Sequence, residues 1–275
     1  MTALAFAVAG ALGYGIGSIA QAAGARRSRD TLRALGHPLY LAGLACDLLA
    51  WFASLVALRT LPVYQVQAVL AGSLAVTVVA ARLFLAARIR PRDAAAVVVT
   101  ILALAVVAAA AGPQDEVRPS AALRWGLVAA AVVLAGGGWL ATRALRPAAA
   151  ALAGLAYGGA ALCARALPVP GHRGVLAIAG SLLAEPLTWA LAGFGVTGTL
   201  LYAFALQYGQ VGPVTAVLWI TEVVVPSAVG VAVLHDTVRP GWAPAAVLAV
   251  LATTAAAVVL ATAPATVSAT TEGAD

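Results

Sequence analysis

Apolar segments of about 20 residues recur along the whole chain, and short polar stretches separate them. A helix of this length crosses roughly 30 Å of hydrocarbon. The pattern predicts nine membrane-spanning helices, at residues 2–23, 37–59, 62–85, 93–111, 121–142, 148–167, 186–207, 211–234 and 242–263. The stretch 174–184 is apolar but too short to cross, so we expect it to lie at the interface or to re-enter the membrane. If it crosses instead, the count becomes ten.

Composition places the chain in one class of protein. Of its 275 residues, 63% are apolar and only 9% are charged, which predicts an all-α, polytopic membrane helix bundle whose partner is the lipid bilayer. The net charge of +6 comes from 16 arginines and no lysine. Because these arginines cluster at the predicted helix ends, they indicate topology, and we expect no nucleic-acid partner.

Arginine placement also predicts how the spans are oriented. One set of loops carries nine arginines, at positions 26, 27, 29, 33, 88, 90, 92, 143 and 146, and the other carries five, at 59, 118, 165, 173 and 239. Cytoplasmic loops are enriched in basic residues. We therefore expect a multi-pass protein of the plasma membrane with its N-terminus outside and its C-terminus in the cytoplasm.

The two halves of the chain repeat one another. Residues 56–70, VALRTLPVYQVQAVL, match residues 204–218, FALQYGQVGPVTAVL, and each match continues through an apolar helix to an Arg-Pro pair. The repeat divides the chain into a first transmembrane repeat (1–112), a linking helix (113–146), a second repeat (147–264) and a tail expected to be disordered (265–275). A four-helix unit begins and ends on one side, so a single linking helix inverts the second unit. Inverted repeats are typical of secondary transporters.

Asp47 is a lone carboxylate in the apolar stretch LAGLACDLLAWFASL. An ionised Asp at the centre of a helix in lipid costs about 2.5–3.5 kcal/mol. Helical spacing places Tyr40, Gly43, Trp51 and Ser54 on the same stripe, which we expect to face the bundle interior. Two interpretations stay open: a carboxylate that recognises substrate or couples transport, and one that is hydrogen-bonded to a neighbouring helix for packing alone.

Glu222 is the second acid within a predicted span, and Pro226 follows four residues later. A proline deprives the carbonyl four residues earlier of its helical hydrogen bond, and here that carbonyl belongs to Glu222. An unpaired carbonyl beside a carboxylate is typical of the broken helices that bind substrate or ions. The alternative is a purely structural kink.

Candidate residues complete the predicted site. Gln65 and Gln67 lie on different helix faces, so at most one of them can line a cavity. The candidate substrate or coupling residues are Asp47, Glu222, Tyr40, Trp51, Ser54, Gln65, Trp219 and Tyr202. By the repeat, Asp47 corresponds to Gly195 and Glu222 to Leu74. We therefore expect both acids to face one cavity that is chemically asymmetric, because each acid has an apolar or absent side chain at the equivalent position of the other repeat.

Two segments, ALRTLPVYQVQAVLAGSLAVTVVAARLFL and ALQYGQVGPVTAVLWITEVVVPSAVGVAVL, resemble paired helices of the drug/metabolite transporter superfamily. The nine-span layout is most similar to its EamA-like members and to NIPA-type magnesium transporters. Under this resemblance, Asp47 stands where NIPA-like proteins often carry Gly-Glu, and Glu222 where many EamA-like members carry Glu-Pro. Asp236 stands nearest to a glutamate that often ends the matched helix.

The function expected from these features is secondary transport of a small polar or amphipathic solute by alternating access. The sequence leaves open whether protons drive it and whether the chain forms a homodimer. The alternatives are a NIPA-like Mg²⁺ transporter and a membrane assembly subunit without transport. We expect no enzyme activity and no cofactor, because no interfacial cluster of acid, base and nucleophile is apparent.

Overall fold

The computed structural model describes residues 2–26, 37–85, 89–114, 119–144, 148–168, 175–208 and 211–263, so the tail at 265–275 lies outside the described residues. Within these ranges the chain forms eleven helices. They are α1 (Thr2–Arg26), α2 (Pro38–Leu58), α3 (Val63–Ala71), α4 (Ser73–Leu85), α5 (Pro91–Ala110), α6 (Ala121–Ala144), α7 (Ala148–Ala166), α8 (Val175–Ala184), α9 (Pro186–Tyr208), α10 (Val211–Val233) and α11 (Ala243–Ala261).

Nine spans of the described residues are long and apolar enough to cross a membrane, which confirms the predicted number. Helices α3 and α4 together form one of them, with a short break at Gly72. Large apolar side chains such as Leu49, Leu83 and Val132 cover the outside of the bundle, where lipid would contact them. In its described residues the chain is therefore all-helical, and it is a multi-pass membrane protein.

A buried ion pair of the second half is hydrogen-bonded to the first half at one end of the bundle. The Arg165 guanidinium, at the end of α7, lies 3.2 Å from Asp236 Oδ1, and both side chains are at most 1% exposed. Asp236 Oδ2 accepts a hydrogen bond of 2.6 Å from the Val63 N–H at the start of α3. Arg165 donates a further bond of 3.1 Å to the Arg59 carbonyl. We call this end, with residues 59–63, 111–114, 119–124, 165–168, 185 and 234–242, the ion-pair end.

Loops at the ion-pair end form a second link between the halves. Ala111 and Val238 form an isolated antiparallel bridge, in which the Arg239 N–H donates to the Ala110 carbonyl over 2.9 Å. The Gln114 amide donates to the Thr237 carbonyl, also over 2.9 Å. The segment after α5 is thus tied to the segment after α10.

The short helix α8 stays at the ion-pair end and does not cross the membrane. Helix α7 ends there at Arg165, and Glu185, just before α9, pairs with Arg124 in the first turn of α6 over 3.1 Å. Helix α6 itself begins a few residues after Gln114, at the same end. Because α9 therefore starts where α7 ends, α8 is a re-entrant or interfacial piece, as the length of residues 174–184 predicted.

Close helix contacts depend on glycine at several positions, and Gly13 and Gly154 are examples. Helix α1 packs along α2, α7 packs against α9 and α10, and α5 packs against α11, while α6 lies outside on α7 and α9. A Cβ atom at Gly13 would lie 2.9 Å from the Ala50 Cβ, so α1 and α2 could not approach as closely with any other residue there. A Cβ at Gly154 of α7 would overlap the Thr221 hydroxyl of α10. These approaches bring the polar faces of the helices to the centre of the bundle.

Candidate functional site

A cavity of about 1020 Å³ lies between the two halves of the chain. It is bounded by α1, α2 and α3–α4 from the first half and by α7, α9 and α10 from the second. Among the described residues, none of those lining it comes from α5, α6, α8 or α11. Its polar lining consists of Tyr14, Ser18, Gln21, Asp47, Ser54, Gln67, Ser73, Thr77, Tyr157, Thr199, Tyr202, Thr215 and Glu222, and Trp51 and Trp219 add two indoles.

Asp47 reaches the cavity from the middle of α2 and is held by α1. The Gln21 amide donates a hydrogen bond of 2.7 Å to Asp47 Oδ2. The other carboxylate oxygen lies against Gly17, where a Cβ atom would overlap it. The carboxylate is only half-buried. One oxygen is therefore fixed by the protein, while the group as a whole still faces open space, which suits a site that takes up a ligand or a proton.

Glu222 lines the same cavity from α10, with Pro226 one turn further along the helix. The carbonyl freed by Pro226 is not unpaired, contrary to the sequence-based expectation. Gln67 Nε2 of α3 donates a hydrogen bond to it over 3.1 Å. A side-chain amide from the other half thus replaces the missing helical bond, and it does so beside the carboxylate.

Two predicted residues lie outside the cavity. Gln65 is 2% exposed and does not line it, and in the described structure its Oε1 has no hydrogen-bond partner. The neighbouring amide Gln67 lines the cavity instead. Tyr40 is also absent from the lining, because its first-turn position on α2 packs against Gly24 of α1, away from the cavity. Only the part of the predicted stripe from Asp47 onward reaches the cavity.

The other predicted residues do line the cavity, namely Trp51, Ser54, Trp219 and Tyr202. The Ser54 hydroxyl donates to the Trp51 carbonyl over 2.7 Å, so its oxygen still has acceptor capacity toward the cavity. The Tyr202 hydroxyl is 2.9 Å from Thr215 Oγ1, a bond between α9 and α10. Such hydroxyl pairs position aromatic rings without adding charge.

Several lining residues were not among the sequence candidates. Tyr14, Ser18 and Gln21 are spaced by four and three residues on α1, so the helical period would have identified them as one face. Tyr157 of α7 carries no comparable pattern, since its neighbours are alanines and glycines. Its hydroxyl lies 3.1 Å from Thr199 Oγ1 of α9.

The charge of the cavity has one sign. Asp47 and Glu222 are the only charged side chains among the described lining residues. Ionised carboxylates with no basic partner favour a cationic solute or a proton in the same space. In the described part of the chain, no group of three or more His, Cys, Asp or Glu side chains could hold a metal ion.

Comparison with known proteins adds no relative, since no protein-family model, curated protein or solved structure matches the chain.

Proposed function

We propose that the chain is a secondary transporter of the drug/metabolite type, related to its EamA-like members, which moves a small polar or amphipathic solute across the plasma membrane. The observation that carries this proposal is the cavity between the two halves, with Asp47 from one half and Glu222 from the other in its lining. Buried carboxylates in a membrane are costly unless they serve a path for solute or protons.

The lining of the cavity supports the repeat. In the match of residues 56–70 with 204–218, each residue corresponds to the one 148 positions later. Eight such pairs line the cavity with both members: Leu44 and Ala192, Asp47 and Gly195, Leu48 and Val196, Trp51 and Thr199, Ser54 and Tyr202, Gln67 and Thr215, Leu70 and Leu218, Leu74 and Glu222. The two halves thus contribute equivalent helix faces to one site.

Helix packing supports the inversion of the second repeat. The contact of α1 with α2 corresponds to that of α7 with α9, and the contact of α1 with α3–α4 corresponds to that of α7 with α10. Helix α2 ends at the ion-pair end, whereas its counterpart α9 begins there, so the two run in opposite directions. This arrangement favours alternating access by rocking of one repeat against the other. From the arginine distribution, the ion-pair end faces the outside and the C-terminus the cytoplasm.

Transport is tested with the purified chain in proteoliposomes. Solutes that raise its thermal stability are assayed for uptake with and without a pH gradient, in wild type, Asp47→Asn and Glu222→Gln. We expect Asp47→Asn to fold, because the Gln21 amide can still donate to the asparagine oxygen, but to lose uptake or its pH dependence. Glu185→Gln, an acid outside the cavity, is the matched control and should transport normally.

Two results would contradict the proposal. Full uptake with unchanged pH dependence in both cavity variants would leave the carboxylates with a packing role alone. Binding of solutes without uptake by wild type would favour an assembly subunit instead of a transporter.

A further inference from the structure

The cavity has an opening between α2 and α9. Several apolar residues of these two helices line the cavity and keep largely exposed side chains. Leu48 of α2 is 56% exposed and Val196 of α9 is 61% exposed, and Leu44 and Leu200 behave likewise. In the described chain, no Cα atom of α2 lies within 8 Å of a Cα atom of α9. We call this opening the lateral gap.

The lateral gap faces hydrocarbon and not water. Leu48 lies at the centre of α2, which runs from Pro38 to Leu58, and Val196 lies near the centre of α9. The centre of a spanning helix lies at the depth of the acyl chains. The exposed residues on both sides of the gap are mostly leucine and valine, so an alkyl chain can lie there against apolar side chains.

The interior behind the gap has a different chemistry. Asp47 and Glu222 are the acidic groups of the lining, and among the described lining residues no basic side chain offsets them. Trp51, Trp219 and Tyr14 add aromatic rings to the same lining. Aromatic faces and carboxylates together bind alkylammonium groups, through cation–π attraction and charge.

We propose that the solute is an amphiphilic cation that enters sideways from the bilayer, with its ammonium head near the carboxylates and its alkyl chain in the lateral gap. This inference rests on the proposed function and specifies its substrate class and route. The chain needs no aqueous path for loading, because such a molecule already resides in the membrane. An anionic amphiphile of equal length would find no basic partner for its head group among the described lining residues.

Gly195 allows the gap to be blocked without disturbing the fold. It lines the cavity on α9, and a Cβ atom there would meet no other atom within 4 Å. A phenylalanine side chain at this position therefore has room to extend into the gap. Gly136 of α6 provides the matched control, since a Cβ there also meets nothing within 4 Å, and it does not line the cavity.

The test measures binding of labelled decyltrimethylammonium to the chain in lipid nanodiscs by equilibrium dialysis, with binding to empty nanodiscs subtracted. Decyl sulfate and tetramethylammonium are the competitors. We expect decyltrimethylammonium to bind, decyl sulfate not to compete, and tetramethylammonium to compete only weakly. Gly195→Phe should weaken binding about ten-fold, as overpacking of a filled space does, whereas Gly136→Phe should leave it unchanged.

Other outcomes would overturn the inference. Equal competition by decyl sulfate would contradict the charge selectivity, and unchanged binding in Gly195→Phe would contradict the use of the gap. If decyltrimethylammonium fails to bind while a water-soluble solute is taken up by proteoliposomes, the inference fails and the transporter proposal stands. If decyltrimethylammonium binds through the gap but no solute is transported, the transporter proposal fails and the binding site stands.

Discussion

Replacing Arg165 by methionine should destabilise the chain more than the loss of any exposed ion pair. The substitution keeps a long side chain at the end of α7 but leaves the Asp236 carboxylate buried and without its cation. Removing one partner of a buried pair costs about 3–5 kcal/mol of the free energy of unfolding. Asp236 retains its bond from the Val63 N–H, so we expect the lower part of this range.

A double-mutant cycle isolates the pair itself. Asp236→Asn removes the other charge while its amide oxygen can still accept the bond from Val63. The combined variant, Arg165→Met with Asp236→Asn, should therefore be more stable than the sum of the two single effects predicts, by about 2 kcal/mol. The measurement is reversible unfolding in mixed micelles with increasing SDS, followed by far-ultraviolet circular dichroism.

The matched control is Arg124→Met. Arg124 and Glu185 are as close as the buried pair, at 3.1 Å, but their side chains are 34% and 14% exposed. Solvent screening limits such a pair to about 1 kcal/mol or less. If Arg165→Met costs no more than Arg124→Met, or if the cycle is additive, the buried pair does not stabilise the ion-pair end.

Three further predictions concern the helix contacts, the cavity and the topology. Gly17→Ala should cost about 1–3 kcal/mol of stability in the same unfolding assay, because its methyl group overlaps the Asp47 carboxylate. Gln67→Leu should cost about 1–3 kcal/mol, because the carbonyl that it binds is left without a donor. In a chain without its native cysteines, Ser120→Cys and Ser268→Cys should react with a membrane-impermeant maleimide from opposite sides.

Each of these has a result that would refute it. A Gly17→Ala variant as stable as wild type would mean that α1 and α2 do not approach closely at this level. Unchanged stability of Gln67→Leu would mean that water or another group satisfies the carbonyl. Labelling of both cysteines from one side would exclude an odd number of spans between them.

The spans were predictable because apolar length is set by the thickness of the membrane, independently of how the helices pack. Which of Gln65 and Gln67 lines the cavity was not predictable in the same way. Every residue of α3, from Val63 to Ala71, is buried, so this helix has no lipid-facing side against which a polar face could be recognised. On α2, with one side in lipid, the stripe containing Asp47 was apparent.

The partners of residues at helix ends were also not predictable from the sequence, because these partners lie far away along the chain. Arg165 has the sequence context of a loop arginine that marks topology, and only the fold brings Asp236, 71 residues later, against it. The same holds for the bond between Gln67 and the Glu222 carbonyl, whose residues are 155 positions apart. A proline reveals that a carbonyl is freed, but the helical period cannot reveal which distant donor will bind it.

The hydrogen bond between Val63 and Asp236 also limits how early, during synthesis of the chain, the two halves can be joined at the ion-pair end. Val63 is separated from the carboxylate that accepts its N–H by 173 residues. At about 5–20 residues per second, roughly 10–35 s pass between the synthesis of the two. During this interval α2 and α3 have been synthesised, but the Asp236 carboxylate that binds the start of α3 has not. The link between the start of α3 and the second half can therefore form only after the segment that follows α10 has been made, and a chain truncated before Asp236 lacks it.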